Sequence, residues 1–144
     1  MKVSVLILQQ QWSFSRVIID SMQNILVTSA GKRVVLVELF KRALKACDQA
    51  AKVYTTDLNP ELAPAGIASD KCFRVPRVLS SDYISILLNI CVRNNIGMVI
   101  PTIDTELLVL SQNKQKFYDK GIALIISDFS FIFCFGVSKI LFLL

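Results

Sequence analysis

The chain has 144 residues, enough for one domain with a modest core, and 53% of them are hydrophobic. Its net charge of +5 comes from basic residues that alternate with acidic ones without interleaved aromatics, so no nucleic-acid partner is expected. The sequence contains no histidine, which excludes serine–histidine and cysteine–histidine nucleophiles and any histidine-ligated metal.

The hydrophobic residues are concentrated at the two ends, in VSVLIL (residues 3–8) and FSFIFCFGVSKILFLL (residues 129–144). The first run is too short for a signal peptide, and the second contains Lys139 and falls short of the ~20 residues of a membrane span. The four cysteines form no C-x-x-C pair, which favours buried, reduced thiols. We therefore expect a cytoplasmic protein without membrane contact, in which the apolar ends could support self-association.

The predicted elements begin with a strand at residues 25–29 and a helix with Val37, Phe40, Leu44 and Cys47 on one face. A second strand follows at residues 52–57. The segment LNPELAPAG then predicts a loop with at most one helical turn, because prolines and a glycine interrupt it. A third strand at residues 71–76 ends at Pro76.

The second half continues the alternation. The segment SSDYISILLNICVRNN predicts a helix, residues 97–102 a strand, DTELLVLSQNKQKFYDK a helix and residues 121–127 a fifth strand. This order is typical of the α/β class: a three-layer, Rossmann-like domain with a mostly parallel sheet of about five strands and helices on both faces.

Polar residues follow four of the strands, at residues 29–33, 57–59, 102–106 and 127–128. The carboxyl ends of parallel strands meet at one edge of the sheet, which is where ligands of open α/β folds bind. We therefore expect these residues to share one rim.

The turn TSAGKR after the first strand has one glycine, Gly31, where a dinucleotide fingerprint has three. It also lacks the Ser or Thr that follows the lysine of a phosphate-binding P-loop. Two interpretations remain open: a plain strand-to-helix turn, or a small-anion site formed by helix amides with Lys32 and Arg33.

The acidic residues at the rim also have two interpretations. Asp57 fits an Asx turn or, more weakly, a ribose contact. Asp104 and Glu106 suit the first turn of a helix that Thr102 or Asp104 caps, or they grip an ammonium group. No second acidic cluster completes a metal shell, so no metal is expected.

Three motifs occur in a fixed order: SAGKR, D-x-N-P…A-P-A…S-D and P-T-x-D-x-E-L. Together, over residues 22–128, they resemble the N-terminal, pre-ATP-grasp domain of ATP-grasp enzymes, and within that superfamily the carbamoyl-phosphate-synthase-like proteins of bacteria. Such enzymes join a carboxylate to an amine or similar nucleophile through an acyl phosphate, and two later lobes hold most of the ATP and magnesium. The resemblance implies that a small carboxylate or other anionic substrate binds at Ser29, Gly31, Lys32, Arg33, Asp57, Asn59, Asp104 and Glu106, with no catalytic residue in this domain.

The two ends depart from that pattern. Residues 1–21 are expected to be an extension outside the family, and residues 129–144 an apolar tail that replaces the link to the ATP-grasp lobes. We therefore expect the substrate-side domain of an ATP-grasp ligase, inactive alone and without ATP or magnesium of its own. Two alternatives stay open: a stand-alone Rossmann-like module for a nucleotide or small anion, and a truncated product without function.

Overall fold

One parallel sheet organises the domain, and the computed structural model describes residues 24–126. The predicted extension, the predicted tail and the polar pair at residues 127–128 lie outside the described residues. In chain order the elements are β1 Asn24–Thr28, α1 Val34–Cys47, β2 Val53–Asp57, a 3-10 helix Pro60–Leu62, α2 Pro64–Ala68, β3 Lys71–Arg74, α3 Tyr83–Arg93, β4 Ile96–Pro101, α4 Asp104–Gln112, α5 Lys114–Tyr118 and β5 Ala123–Leu124.

The five strands lie in the order β3-β2-β1-β4-β5, and every neighbouring pair is parallel. In the register, Leu26 of β1 lies opposite Tyr54 on one side and Val99 on the other. The sheet therefore presents the carboxyl ends of all five strands along one edge, and the predicted α/β Rossmann-like fold is confirmed.

Each face of the sheet carries its own hydrophobic core, because successive side chains of β1 point to opposite faces. On one face Ile25 and Val27 pack with Val37 of α1 and Ala65 of α2. On the other face Leu26 packs with buried side chains of α3, α4 and α5: Tyr83, Leu87, Cys91, Leu110 and Phe117. The two cores give the predicted three layers, with helices on both faces.

Helix α2 approaches the sheet closely because it has a glycine at the contact. A Cβ atom added at Gly66 would lie 2.9 Å from Cβ and 3.0 Å from Sγ of Cys72 in β3. The segment predicted as a loop with at most one helical turn thus forms a 3-10 helix and a short α-helix, both with proline in the first turn, where its fixed φ angle is compatible with a helix.

Two further elements differ from prediction. The helix predicted over residues 104–120 is divided at Asn113, whose side-chain amide donates to the carbonyl of Val109 at 2.8 Å and competes with the main-chain helix bonds.

Cys47, predicted on the buried face of α1, is exposed at the end of the helix, whereas Cys91 is buried and Cys72 half-buried. The fifth strand is confirmed but spans two residues.

Candidate functional site

The turn after β1 is held in an unusual conformation by the neighbouring strand. Ser29 and Gly31 have φ angles of 49° and 50°, in the left-handed region. The amides of Ser29 and Ala30 donate to Oγ1 and the carbonyl of Thr56, at 3.3 and 3.2 Å, and the Gly31 amide donates to Oδ2 of Asp57 at 3.2 Å. Three consecutive amides are therefore bonded within the protein, and this stretch does not form a phosphate cradle of the dinucleotide or P-loop kind.

Asp57 at the end of β2 uses both carboxylate oxygens for main-chain contacts. While Oδ2 accepts from Gly31, Oδ1 accepts from the Asn59 amide at 3.0 Å. The second contact is an Asx turn, as one of the two sequence interpretations expected. Asp57 thus fixes the β1 turn and its own loop together.

The centre of the rim is a buried carboxylate, that of Glu106 in the first turn of α4, which is 0% exposed. Oε2 accepts a hydrogen bond from the Thr28 hydroxyl at 2.6 Å, and Oε1 accepts from the Tyr83 hydroxyl at 2.8 Å and from the Ser29 hydroxyl. The donors come from β1, the turn after it and α3. One carboxylate therefore joins three elements across the core, and hydroxyl donors satisfy its charge where water cannot.

Burial and the contact with Glu106 both affect the pKa of Tyr83. Burial raises the pKa of the Tyr83 hydroxyl far above its ordinary value, and the negative charge of Glu106 and the hydrogen bond to it raise it further. Tyr83 accordingly stays protonated and keeps donating to Glu106 over the whole physiological range.

The start of α4 is fixed to the β1 turn by side chains that donate to main-chain carbonyls rather than by a helix cap. The N-cap residue is Ile103 and makes no side-chain capping bond, so neither Thr102 nor Asp104 occupies the predicted cap position. The Thr102 hydroxyl instead lies 2.9 Å from the carbonyl oxygens of both Thr28 and Ser29, and the Arg33 guanidinium donates to the Thr102 carbonyl. The ends of β1 and β4 are thereby joined.

A cleft of about 370 Å³ opens at this edge of the sheet. Ser29 and Tyr83, both bonded to Glu106, form part of its wall. The lining residues are Ser29, Leu58, Val75, Pro76, Arg77, Val78, Leu79, Tyr83, Ile103 and Thr105. Its size falls within the range of small-molecule sites.

The eight residues predicted to bind substrate do share this rim, but they divide into three groups. Ser29 lines the cleft, and Glu106 lies behind it. Gly31 and Asp57 build the adjoining turn. Lys32, Arg33, Asn59 and Asp104 are exposed and do not line the cleft.

Sequence reasoning missed the stretch after β3. Five lining residues lie consecutively at residues 75–79, and Arg77 is the charged one among them. The signal was present, because Pro76 ends the predicted third strand and the residues after a parallel strand follow at the same edge of the sheet. Tyr83 gave no comparable signal, since an aromatic residue in an apolar helix pattern is ordinarily part of the core.

Two further kinds of site were sought between residues 24 and 126. Within that range no group of three or more acidic or cysteine side chains could hold a metal ion. Nor does any helix there combine the length and apolar character needed to cross a membrane.

A scan of protein-family models matches the PylC-like N-terminal domain over residues 25–125. The chain belongs to this family. The family is the N-terminal, pre-ATP-grasp domain of ATP-grasp enzymes, so the predicted ATP-grasp relationship is confirmed. The match covers all the elements of the sheet and both sides of the cleft. A search of curated proteins gives no match.

Proposed function

We propose that this PylC-like domain forms the substrate side of an ATP-grasp ligase, which joins a carboxylate to an amine or similar nucleophile. In this proposal the domain binds a small carboxylate or other anionic substrate in the cleft at the carboxyl edge of the sheet. Its family membership supports the reaction class, and the resemblance of its motifs to carbamoyl-phosphate-synthase-like proteins supports an anionic substrate.

One observation carries the proposal: the buried carboxylate of Glu106 holds the hydroxyl of Ser29, which lines the cleft, in a fixed position. The hydroxyl of Ser29 donates to the buried carboxylate of Glu106, as does that of Tyr83. Because the proton of the Ser29 hydroxyl is committed to Glu106, its oxygen offers lone pairs in a fixed position to an N–H or O–H donor of the substrate, and the anionic group of the substrate must lie away from this wall; the Tyr83 hydroxyl is buried and holds the carboxylate in place. A site arranged before binding loses less entropy when the ligand enters, which favours affinity and orientation.

ATP and magnesium belong, in this proposal, to other parts of the enzyme. Two observations support this part of the proposal: the amides of residues 29–31 are bonded to Thr56 and Asp57, and the described residues include no acidic cluster that could hold a metal ion. We place the protein in the cytoplasm, since the three described cysteines are free thiols, as expected in a reducing compartment.

The test is an NMR screen of the 144-residue chain against small carboxylates and amines, with ATP and magnesium in a parallel titration. Carboxylates or amines are expected to shift the amide signals of Ser29, Val78 and Thr105, whereas ATP with magnesium is expected to leave them unchanged and to be hydrolysed no faster than in buffer. Magnesium-dependent hydrolysis by the purified chain, or substrate-induced shifts confined to the opposite edge of the sheet, would contradict the proposal.

A further inference from the structure

The lining of the cleft also indicates which class of substrate fits it. We propose that the cleft binds a monocarboxylate with a compact apolar body, with Arg77 contacting the carboxylate and Leu58 and Leu79 covering the body. This inference rests on the proposed function, because it names the substrate class of the same site.

The charge of the cleft comes from Arg77, and its guanidinium makes no hydrogen bond or ion pair with any described residue. Neighbouring arginines differ in this respect. Arg74 donates to both carboxylate oxygens of Glu61 at 2.7 Å, and Arg33 donates to the carbonyl of Thr102. Arg77 is thus the arginine at this rim whose planar donor fork is open to a ligand, and that fork matches the geometry of a carboxylate.

The rest of the cleft is mainly apolar. Leu79 and Leu58 leave 88% and 41% of their surface exposed, although both side chains border the cleft. An aliphatic ligand body that covers this surface buries apolar groups against each other, which is favourable. A small polar ligand buries little apolar surface of its own and gains less. Six of the lining residues are apolar: Leu58, Val75, Pro76, Val78, Leu79 and Ile103.

A second negative group on the ligand would find no second cation among the lining residues. No other lining residue is cationic, and the part of the wall formed by Ser29 offers an acceptor oxygen that is bonded to the buried carboxylate of Glu106. A dicarboxylate would therefore place one charge against an acceptor or an apolar side chain, and both placements are unfavourable.

Three ligands of similar size test the proposal by NMR titration of the full chain. They are 4-methylpentanoate, its neutral amide, and succinate, which has two charges and no apolar body. We expect 4-methylpentanoate to bind at the cleft, the amide to bind about tenfold more weakly because it lacks the charge-assisted contact, and succinate to bind more weakly still.

Two variants with matched controls assign the contacts. Arg77→Gln is expected to weaken 4-methylpentanoate binding about tenfold, whereas Arg42→Gln, which removes the same charge from the exposed side of α1, leaves it unchanged. Leu79→Ser is expected to weaken binding about fivefold. Its control is Leu62→Ser, which removes a side chain that is 79% exposed and lies outside the cleft.

The outcomes separate this inference from the proposed function. Succinate binding at the cleft as tightly as 4-methylpentanoate, or equal affinities of the Arg77→Gln and Arg42→Gln variants, overturns the substrate class but leaves a substrate cleft in place. Failure of every carboxylate and amine in the screen to shift any signal of the cleft overturns both.

Discussion

Replacing Glu106 by alanine tests the organisation of the rim. The change removes the acceptor of three hydroxyls, of which those of Thr28 and Tyr83 belong to side chains that are 0% exposed. Leaving a buried donor unpaired costs about 1–3 kcal/mol, so the two together predict a loss of about 2–6 kcal/mol in the free energy of unfolding. Ser29 is half-buried and reaches water, so it adds little.

That loss is large against the ~5–15 kcal/mol that typically stabilises a small domain. Glu106→Gln should cost less, about 1–2 kcal/mol, because the amide keeps one oxygen for Ser29 and Tyr83 while the charge is lost. The assay is urea unfolding of the full chain followed by far-ultraviolet circular dichroism, with the slope m compared between variants. Glu38→Ala, which removes an exposed acid from α1, is the control and should change stability by less than about 0.5 kcal/mol.

A double-mutant cycle then isolates the contact with the tyrosine. Glu106→Ala and Tyr83→Phe, measured singly and together, should show a coupling energy above about 0.5 kcal/mol because the oxygen atoms of Glu106 and Tyr83 are 2.8 Å apart. Strictly additive effects, or a Glu106→Ala variant as stable as the wild type, would refute the view that this carboxylate joins β1, α3 and α4.

Three further predictions concern the core. Stability should fall by about 1.4 kcal/mol per pH unit for each group, as the pH rises above about 9 for Cys91 and above about 10 for Tyr83, because burial raises the pKa of Cys91 to about 12 and also raises the pKa of Tyr83, so the unfolded chain loses these protons first. Urea midpoints between about pH 8 and 11.5 measure this slope, and an unchanged slope above about pH 10 in Tyr83→Phe would contradict the part assigned to Tyr83. Iodoacetamide should label exposed Cys47 in the native protein but Cys91 only after unfolding, which peptide mass spectrometry distinguishes. Gly66→Ala should destabilise the fold by about 1–3 kcal/mol, because its Cβ would lie 2.9 Å from Cβ of Cys72, and a thermal midpoint equal to the wild type would show that α2 moves away freely.

The sheet could be predicted from the sequence because each strand is a short apolar or β-branched run bounded by turn residues. The division of the last long helix was not, since a single Asn113 within an amphipathic pattern does not reveal that its side chain will bond to the carbonyl of Val109. Element type follows from local periodicity, whereas a break of this kind depends on one side-chain rotamer.

The candidate site could also be predicted only in part from the sequence. Parallel topology alone brings Ser29, Asp57 and Glu106 to one edge, where Ser29 bonds to Glu106 and the neighbouring Gly31 bonds to Asp57. How deeply each side chain lies within the edge could not be predicted. Glu106 has the pattern of an exposed first-turn acid, and its burial depends on Tyr83, a residue 23 positions away whose hydroxyl must meet it across the core.

The most direct test is a crystal structure of the chain with 4-methylpentanoate or the best carboxylate from the screen. We expect the ligand to lie between Arg77 and Leu79, with the hydroxyls of Ser29 and Tyr83 still bonded to a buried Glu106. A ligand bound elsewhere on the sheet, or a Glu106 side chain turned into solvent, would contradict a substrate cleft organised by that carboxylate.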